Sequence, residues 1–431
     1  MCKLTRRKFL GLGGTVLAAT SVAGVAPFAI GGARKTVVVV GGGIGGATAA
    51  KYLRMMDPSI DVTLIEANTN YYTCFMSNEV LAGERSMESI RFGYSGLKGH
   101  GIHVVQDRAT SIDPDKRVVR TQGGQRFAYD RCIVSPGVDF RWDSIEGYDA
   151  RVAERIPHAW KAGPQTLILR NQLRAMRDGG TVLIAPPANP YRCPPAPYDR
   201  VSQIAHYLKR HKPRSKIIIL DPKDRFSKFD LFLDGWKRYY GYGTDDSMIT
   251  WVSGAAGGTI ESLDVKAMTI QADIESFKGD VINIIPPQKA GWIAFSAGLT
   301  NEQGWCPVDF RTFESTIQRK IHVIGDSSQA SPMPKGGYVA NTTAKVCAAA
   351  IVADFNGGKA PRPSWINSCY STLAPGDAIS AVTIYTYRDG RIVKVEGSGG
   401  LTPQEFDAGM RAREAQYAHS WFNNITADVF D

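Results

Sequence analysis

The chain is short of the features that mark several common protein classes. Its seven cysteines, at positions 2, 74, 132, 193, 306, 347 and 369, include no Cys-x-x-Cys spacing. That excludes a zinc knuckle, and the absence of Cys-x-x-Cys-His excludes haem attached to this polypeptide. No metal site is expected. Beyond residue 33 no run is long and apolar enough to span a membrane. A dense Lys/Arg block is also missing. The formal net charge is +10, and the four basic residues of the first 33 (Lys3, Arg6, Arg7, Lys8) leave 10 − 4 = +6 for the remainder. Such a surface suits small anions or an acidic partner and carries no nucleic-acid footprint. No repeat beyond two dinucleotide-type units and no low-complexity tract is present. What remains is an ordinary globular composition over 431 residues, enough for two or three domains with their own cores.

The N-terminus reads as an address. Thr5-Arg6-Arg7-Lys8-Phe9-Leu10 leads into an uncharged stretch, 9–33, rich in Gly, Ala, Ser and Thr. This pattern fits a twin-arginine export signal cut near Gly31-Gly32-Ala33. The alternative, a membrane anchor, needs about 20 strongly apolar residues, and this stretch is weakly hydrophobic and glycine-broken. The expected location is therefore the periplasm, where disulfides can form. Cys2 would leave with the signal.

The organising stretch is 36–46, Thr-Val-Val-Val-Val-Gly-Gly-Gly-Ile-Gly-Gly. A β run ends in G-x-G-x-x-G, formed by Gly41, Gly43 and Gly46, and Ile44 opens a helix predicted over 44–56. The first glycine permits the tight turn, the second lets backbone approach a pyrophosphate, and the third lets helix and strand pack closely. The helix N-terminus adds free N–H groups and partial positive charge. A second strand over 61–66 ends at Glu66, 20 residues past Gly46, where an acid should meet a ribose hydroxyl.

A polar aromatic stretch, 71–78, should then face the cofactor. Short β runs are expected at 102–106, 117–121 and 125–129. The strand after Tyr129 ends in Ser135-Pro136-Gly137, a turn that hands the chain to a second unit. There 181–185 and 215–221 read as strands and 201–210 as a helix. The loop between them, 186–197, is wrong for a dinucleotide: six of its twelve residues are proline. Proline has no N–H to donate and cannot make the close glycine approach, so this unit keeps the fold and loses the nicotinamide dinucleotide. Residues 226–300 read as mixed, with β-like segments near 249–252, 259–263 and 281–285.

Near residue 300 the chain returns to the first unit. The strand 320–324 ends in Gly325-Asp326, and Met333-Pro334-Lys335-Gly336-Gly337-Tyr338 leads into a small-residue helix over 339–355. The stretch resembles the second FAD signature of two-dinucleotide-fold flavoproteins, a resemblance that implies that the helix points its N-terminus at a flavin pyrimidine and stabilises negative charge on the reduced ring. Lys335 is either a flavin-facing cation or a solvated loop lysine. Residues 356–370 read as a Gly/Pro-rich connection, with β segments at 379–387 and 391–395 and a polar helix from about 403. The expected fold class is α/β: two Rossmann-like three-layer domains, FAD-binding (34–147 and 288–357) and degenerate NAD-like (148–287), plus a C-terminal α+β domain (358–431).

Cys132 and Cys347 lie in apolar segments and Cys306 before a strand, as core cysteines do. Cys74, Cys193 and Cys369 each read as part of a polar or Pro/Gly-rich loop. Residues so far apart meet only if the fold brings them to one face. Asp199 and Glu79 are candidate proton acceptors, with a structural role as the alternative for each.

With these motifs in view, the whole chain resembles the flavoprotein subunit of flavocytochrome c sulfide dehydrogenase, a cousin of sulfide:quinone reductases. The stretch around Cys74, the Met333–Asn341 stretch, Cys193 in its proline loop and Cys369-Tyr370-Ser371-Thr372 carry the resemblance. It implies FAD bound by Gly41, Gly43, Ile44, Gly46, Glu66, Asp326, Lys335, Gly336 and Tyr338, with Cys74 holding the flavin covalently through its 8α-methyl group. Asp326 would bind the ribityl or phosphate part. It implies a redox-active disulfide of Cys193 and Cys369, sulfide as substrate, and a c-type cytochrome partner subunit that carries all the haem. Neither nucleic acid nor stable membrane insertion is expected. A sulfide:quinone reductase would need a membrane-seeking C-terminus, and the stretch after Gln404 is charged and lacks a strong apolar face. A pyridine-nucleotide disulfide oxidoreductase is opposed by the proline loop and the missing C-x₄-C pair. A non-catalytic FAD carrier subunit is the reading from another class.

Overall fold

Five strands run parallel in the order Ile321–Val323, Arg131–Val134, Thr36–Val40, Asp61–Glu66, His103–Gln106. The computed structural model that shows this describes residues 34–431. The export-type stretch, 1–33, lies outside the described residues. Val37 to Val40 are all buried, as a central parallel strand covered on both faces requires. Helix Ile44–Met56 packs on helix Gly337–Phe355, and both bury small residues, Ala47, Ala49 and Ala50 in one and Ala340, Ala344 and Ala348 in the other. That close contact brings both helix N-termini to the same end of the sheet.

A second parallel sheet has the order Ile249–Val252, Lys216–Leu220, Thr181–Ala185, Val281–Ile284. Each sheet is accompanied by a three-stranded antiparallel meander. Strands Val138–Phe140 and Gln288–Ala290 pair antiparallel where the chain passes between the two sheets and back. The fold is therefore α/β with two Rossmann-like parallel sheets. A third, antiparallel sheet follows, built from Ser364–Ala374, Asp377–Arg388 and Arg391–Lys394. Helix Ala408–Phe430 closes the chain, its N-terminus capped by Asp407, which accepts the N–H of Met410 at 2.9 Å. Among the described residues no helix is long and apolar enough to cross a membrane.

Several local expectations need correction. The 356–370 connection contains the start of an eleven-residue strand, Ser364–Ala374, so Cys369 sits in a strand and not in a loop. Its sequence, with Asn367, Ser368 and Ser371, has little β preference of its own, and the long partner Asp377–Arg388 supplies the pairing. The mixed stretch after 226 holds helix Phe229–Tyr240, which its aromatic residues and Gly235 disguise. It buries Leu231, Phe232, Trp236 and Tyr240. Helix Pro164–Ala175 was also hidden, and the last helix begins at Ala408, not near 403. The helix expected at 201–210 begins earlier, at Ala196, with Pro197 in its first turn, where a missing N–H costs nothing.

Candidate active site

A cavity of about 620 Å³ lies at the carboxyl ends of the first sheet. Its lining includes Val40, Gly41, Gly43, Ile44 and Glu66 as well as Tyr71, Cys74, Arg192, Asp326 and Gly337. Gly41 has φ of +101°, which favours glycine, and a Cβ on Gly46 would stand 1.8 Å from the Gly41 carbonyl oxygen. Gly46 thus serves the helix–strand contact and lies behind the cavity wall. The Glu66 carboxylate is fixed at the rim, accepting the N–H of Gly42 at 2.7 Å and of Asn68 at 2.8 Å.

The donor set fits an adenine dinucleotide carrying a polyol chain. Asp326 Oδ1 and Arg192 Nε are buried without hydrogen-bond partners, and both residues line the cavity. An unpaired buried acceptor and an unpaired buried donor mark a place where hydroxyl and phosphate oxygens would be satisfied. Burial raises the Asp326 carboxyl, while Arg192 and Lys335 oppose the rise. Lys335 is not a solvated loop lysine. Its ammonium donates to the carbonyls of Asp326 at 2.8 Å and Ser328 at 2.9 Å and lies 3.7 Å from the centre of the Trp305 ring. Burial lowers its pKa to about 8.

A second, smaller cavity of about 150 Å³ shares Cys74, Arg192 and Gly337 with the first. Cys74 therefore stands at the junction. Its loop is held by Ser77 Oγ, which donates to the Cys74 carbonyl at 2.6 Å, and by Met76 at φ 64°. Lys335, Gly336 and Tyr338 line this second cavity, and Tyr338 stacks on Trp421 with ring centres 6.1 Å apart.

Cys193 and Cys369 meet here. Cys193 adopts φ of 55° and donates its N–H to the Lys335 carbonyl at 2.7 Å. Cys369 reaches the same chamber from strand Ser364–Ala374, opposite Ala381. Both are free thiols. Their mutual interaction pushes the Cys369 thiol down and the Cys193 thiol up, and Lys228 adds to the lowering of Cys369. Cys132, Cys306 and Cys347 are buried core residues, and burial raises each thiol.

Lys228 escaped the sequence reading. It follows Phe226-Ser227 with no motif around it, and only the fold brings it to the sulfurs. Of the two candidate acceptors, Asp199 and Glu79, the second is committed: Arg85 donates to one carboxylate oxygen at 2.8 Å and His419 lies 3.2 Å from the other. Asp199 accepts from Asn78 Nδ2 at 2.6 Å and from the Thr372 N–H at 2.8 Å, and burial raises it to about 6.

At the second sheet a carboxylate is fully engaged by neighbouring side chains. Asp221, at the end of strand Lys216–Leu220, accepts from Tyr198 Oη at 2.6 Å, pairs with Lys223 at 2.7 Å and receives Trp251 Nε1 at 3.2 Å. Tyr198 stacks on Phe226 at 3.4 Å. The Asp221 carboxylate is thus consumed by internal contacts.

Comparison with known proteins agrees with this geometry. Residues 166–286 match the family model of the central domain of the sulfide dehydrogenase [flavocytochrome c] flavoprotein chain, and 361–430 the flavocytochrome c sulphide dehydrogenase flavin-binding model. Residues 35–163 match the pyridine nucleotide-disulphide oxidoreductase model. A sulfide dehydrogenase [flavocytochrome c] flavoprotein chain of Chlorobaculum thiosulfatiphilum is 65% identical over 46 residues, covering 11% of this chain and 96% of that sequence. The mitochondrial sulfide:quinone oxidoreductase of Mus musculus is 22% identical over 311 residues, 67% of this chain and 65% of that protein. The match thus spans 65% of the length of that relative, and likewise of the Dictyostelium discoideum protein. In fold, the sulfide:quinone oxidoreductase of Aquifex aeolicus superposes with a TM-score of 0.68 at 18% identity, covering 92% of each chain.

Proposed function

The chain belongs to the family of flavocytochrome c sulfide dehydrogenase flavoprotein chains, and on that premise we propose that it oxidises hydrosulfide through a Cys193–Cys369 disulfide. FAD would lie in the larger cavity, held covalently by Cys74, and the electrons would leave to a c-type cytochrome subunit in the periplasm. The meeting of Cys193 and Cys369 in a chamber that opens on the dinucleotide cavity at Cys74 carries the reading.

The chemistry is thiol–disulfide exchange. The sulfur of HS⁻ attacks one sulfur of the disulfide, the S–S bond breaks, and its electron pair leaves on the other cysteine as thiolate. One cysteine then carries a persulfide, and the substrate sulfur has lost two electrons to the pair. FAD, when bound, accepts that electron pair and releases it singly to a haem. Gly41, Gly43 and Ile44 would receive the pyrophosphate at the helix N-terminus, Glu66 a ribose, and Asp326 with Arg192 the ribityl and phosphate oxygens. Lys335 and the N-terminus of helix Gly337–Phe355 supply positive potential at the cavity junction.

Anaerobic addition of sulfide to the purified protein should bleach the flavin, and subsequent addition of a c-type cytochrome should restore the colour. Cys193→Ser and Cys369→Ser should each abolish bleaching by sulfide and leave bleaching by dithionite intact. Sulfide-driven bleaching in either variant would reject the disulfide reading. The fold shared with sulfide:quinone oxidoreductase makes a quinone the competing acceptor, and faster turnover with a soluble quinone than with cytochrome c would favour it.

A further inference from the structure

We propose that Lys228 is the positioning residue that holds Cys369, and not Cys193, as the thiolate of the pair, and so directs hydrosulfide to Cys193. This rests on the disulfide reading above and assigns direction within it.

Lys228 precedes helix Phe229–Tyr240, and its φ of 63° is one a lysine seldom adopts. Its side chain runs inward and the residue is 5% exposed. The ammonium donates to the Cys369 carbonyl at 3.1 Å, the Ile379 carbonyl at 3.2 Å and the Ser371 hydroxyl at 3.2 Å, and lies 3.8 Å from Cys369 Sγ. Among the described residues no carboxylate is ion-paired with it. A buried cation held only by neutral acceptors needs a counter-charge, and the group in direct contact able to supply one is the Cys369 sulfur. A thiolate beside a lysine is the stabilised form. The Tyr370 carbonyl also lies 3.8 Å from Sγ and would favour a neutral thiol, but a full charge outweighs a carbonyl dipole at equal distance.

The other charged groups of the chamber are engaged elsewhere. Arg192 donates to the Trp160 carbonyl, and Arg200 to the Ala159 carbonyl and Asn283. Lys335 is tied to Asp326 and Ser328, Glu79 to Arg85 and His419, and Asp199 to Asn78 and Thr372, although Asp199 also feels the Lys228 charge through space. Arg192 acts on Cys193 only through space and shares its field with Cys74 and Asp326. Tyr338 and Tyr370 complete the ionisable lining, and burial keeps the Tyr370 hydroxyl protonated. Lys228 alone among these cations has a hydrogen-bonding contact with a cysteine sulfur of the pair.

The direction of exchange follows. The sulfur of HS⁻ bonds to Cys193 Sγ, the Cys193–Cys369 bond breaks, and its electron pair leaves on Cys369 Sγ next to the ammonium. The proton of HS⁻ remains on the new Cys193 persulfide or passes to solvent. The better-stabilised thiolate is the better leaving group.

The test is alkylation of the reduced holoprotein with iodoacetamide across a pH series, read peptide by peptide by mass spectrometry. The Cys369 midpoint should lie below that of Cys193. Lys228→Met should raise the Cys369 midpoint by about one unit or more, and Lys228→Arg should restore most of the shift. A purely structural lysine would change the yield of folded protein and leave the midpoint where it was. Persulfide trapped after a single sulfide addition should map to the Cys193 peptide. A lower midpoint for Cys193, an unmoved Cys369 midpoint in Lys228→Met, or persulfide on Cys369 would each overturn the assignment. If Lys228→Met fails to fold, Lys228→Gln, read in the same way, decides. Should sulfide neither bleach the flavin nor form persulfide while the midpoints behave as expected, the disulfide reading falls and the Lys228 contact stands.

Discussion

The Asp199 carboxylate accepts the backbone N–H of Thr372 at 2.8 Å, tying the helix that follows Cys193 to the strand that carries Cys369. The bond fixes the approach of the two sulfurs from a distance of a few residues on each side. It also has a pH signature. Burial raises the Asp199 carboxyl from 3.8 to about 6, against the hydrogen bonds from Asn78 and Thr372. The folded value lies above the unfolded one, so between them the folded state binds the extra proton and stability falls as pH rises. Below about pH 4 both states are protonated, and above about pH 6 the loss is complete. Asp199→Asn removes this titration. Chemical denaturation across the window should show wild type losing on the order of 2 kcal/mol relative to the variant. Parallel curves would mean the carboxyl is not raised.

Asp221 makes the opposite case, a carboxylate with no spare capacity. Tyr198, Lys223 and Trp251 all converge on it. Asp221→Ala would strand a buried ammonium, a hydroxyl and an indole N–H, and should cost about 3–5 kcal/mol in unfolding free energy. It should not create nicotinamide reactivity, because the proline loop still offers no cradle of N–H groups. NADH and NADPH should leave the flavin oxidised in wild type and variant alike. Flavin reduction by either nucleotide would show that the second sheet retains a working site.

What the sequence made legible follows from how locally each feature is encoded. The glycine loop from Gly41 to Gly46 is a complete local unit, with strand, turn and helix in consecutive residues, and it could be read without the fold. Cys193 was legible because six prolines replaced the glycines expected there. Cys369 was expected in a loop and lies in a strand that exists by pairing with Asp377–Arg388, and only the fold shows that it shares a chamber with Cys193. Lys228 was illegible: its role arises from a left-handed backbone residue and from three acceptors on the third sheet. Charged residues at sites assembled from distant strands leave no periodic trace.

The two glycines Gly43 and Gly46 should respond differently to the same substitution. A Cβ on Gly46 meets the Gly41 carbonyl at 1.8 Å, and strand and helix would have to separate. Gly46→Ala should cost about 1–3 kcal/mol in unfolding free energy and yield protein with little flavin. A Cβ on Gly43 meets only the Tyr71 ring, at 3.4 Å, so Gly43→Ala should fold with near wild-type stability. Its methyl group would enter the cavity where the pyrophosphate is expected, and flavin content should fall. Full flavin content in Gly43→Ala would place the phosphates elsewhere.

Cys74 lines both cavities, and the remaining thiols are divided cleanly from it. Cys132, Cys306 and Cys347 are buried in the core, while Cys193 and Cys369 share the smaller chamber. The Cys74 turn is rigid, with Ser77 Oγ on its carbonyl at 2.6 Å and Thr73 Oγ on the Phe75 carbonyl at 3.0 Å. A sulfur held this firmly at the cavity junction suits a covalent tether, which needs one fixed attachment point. Acid precipitation of wild type should leave the yellow colour in the pellet. Cys74→Ser should fold, bind flavin without a bond, and release the colour to the supernatant on precipitation. Thermal unfolding of Cys74→Ser should then depend on added FAD, because a dissociable ligand stabilises by mass action and a tethered one does not. A yellow pellet from Cys74→Ser would assign the tether to another residue; a colourless wild-type pellet would remove the tether altogether.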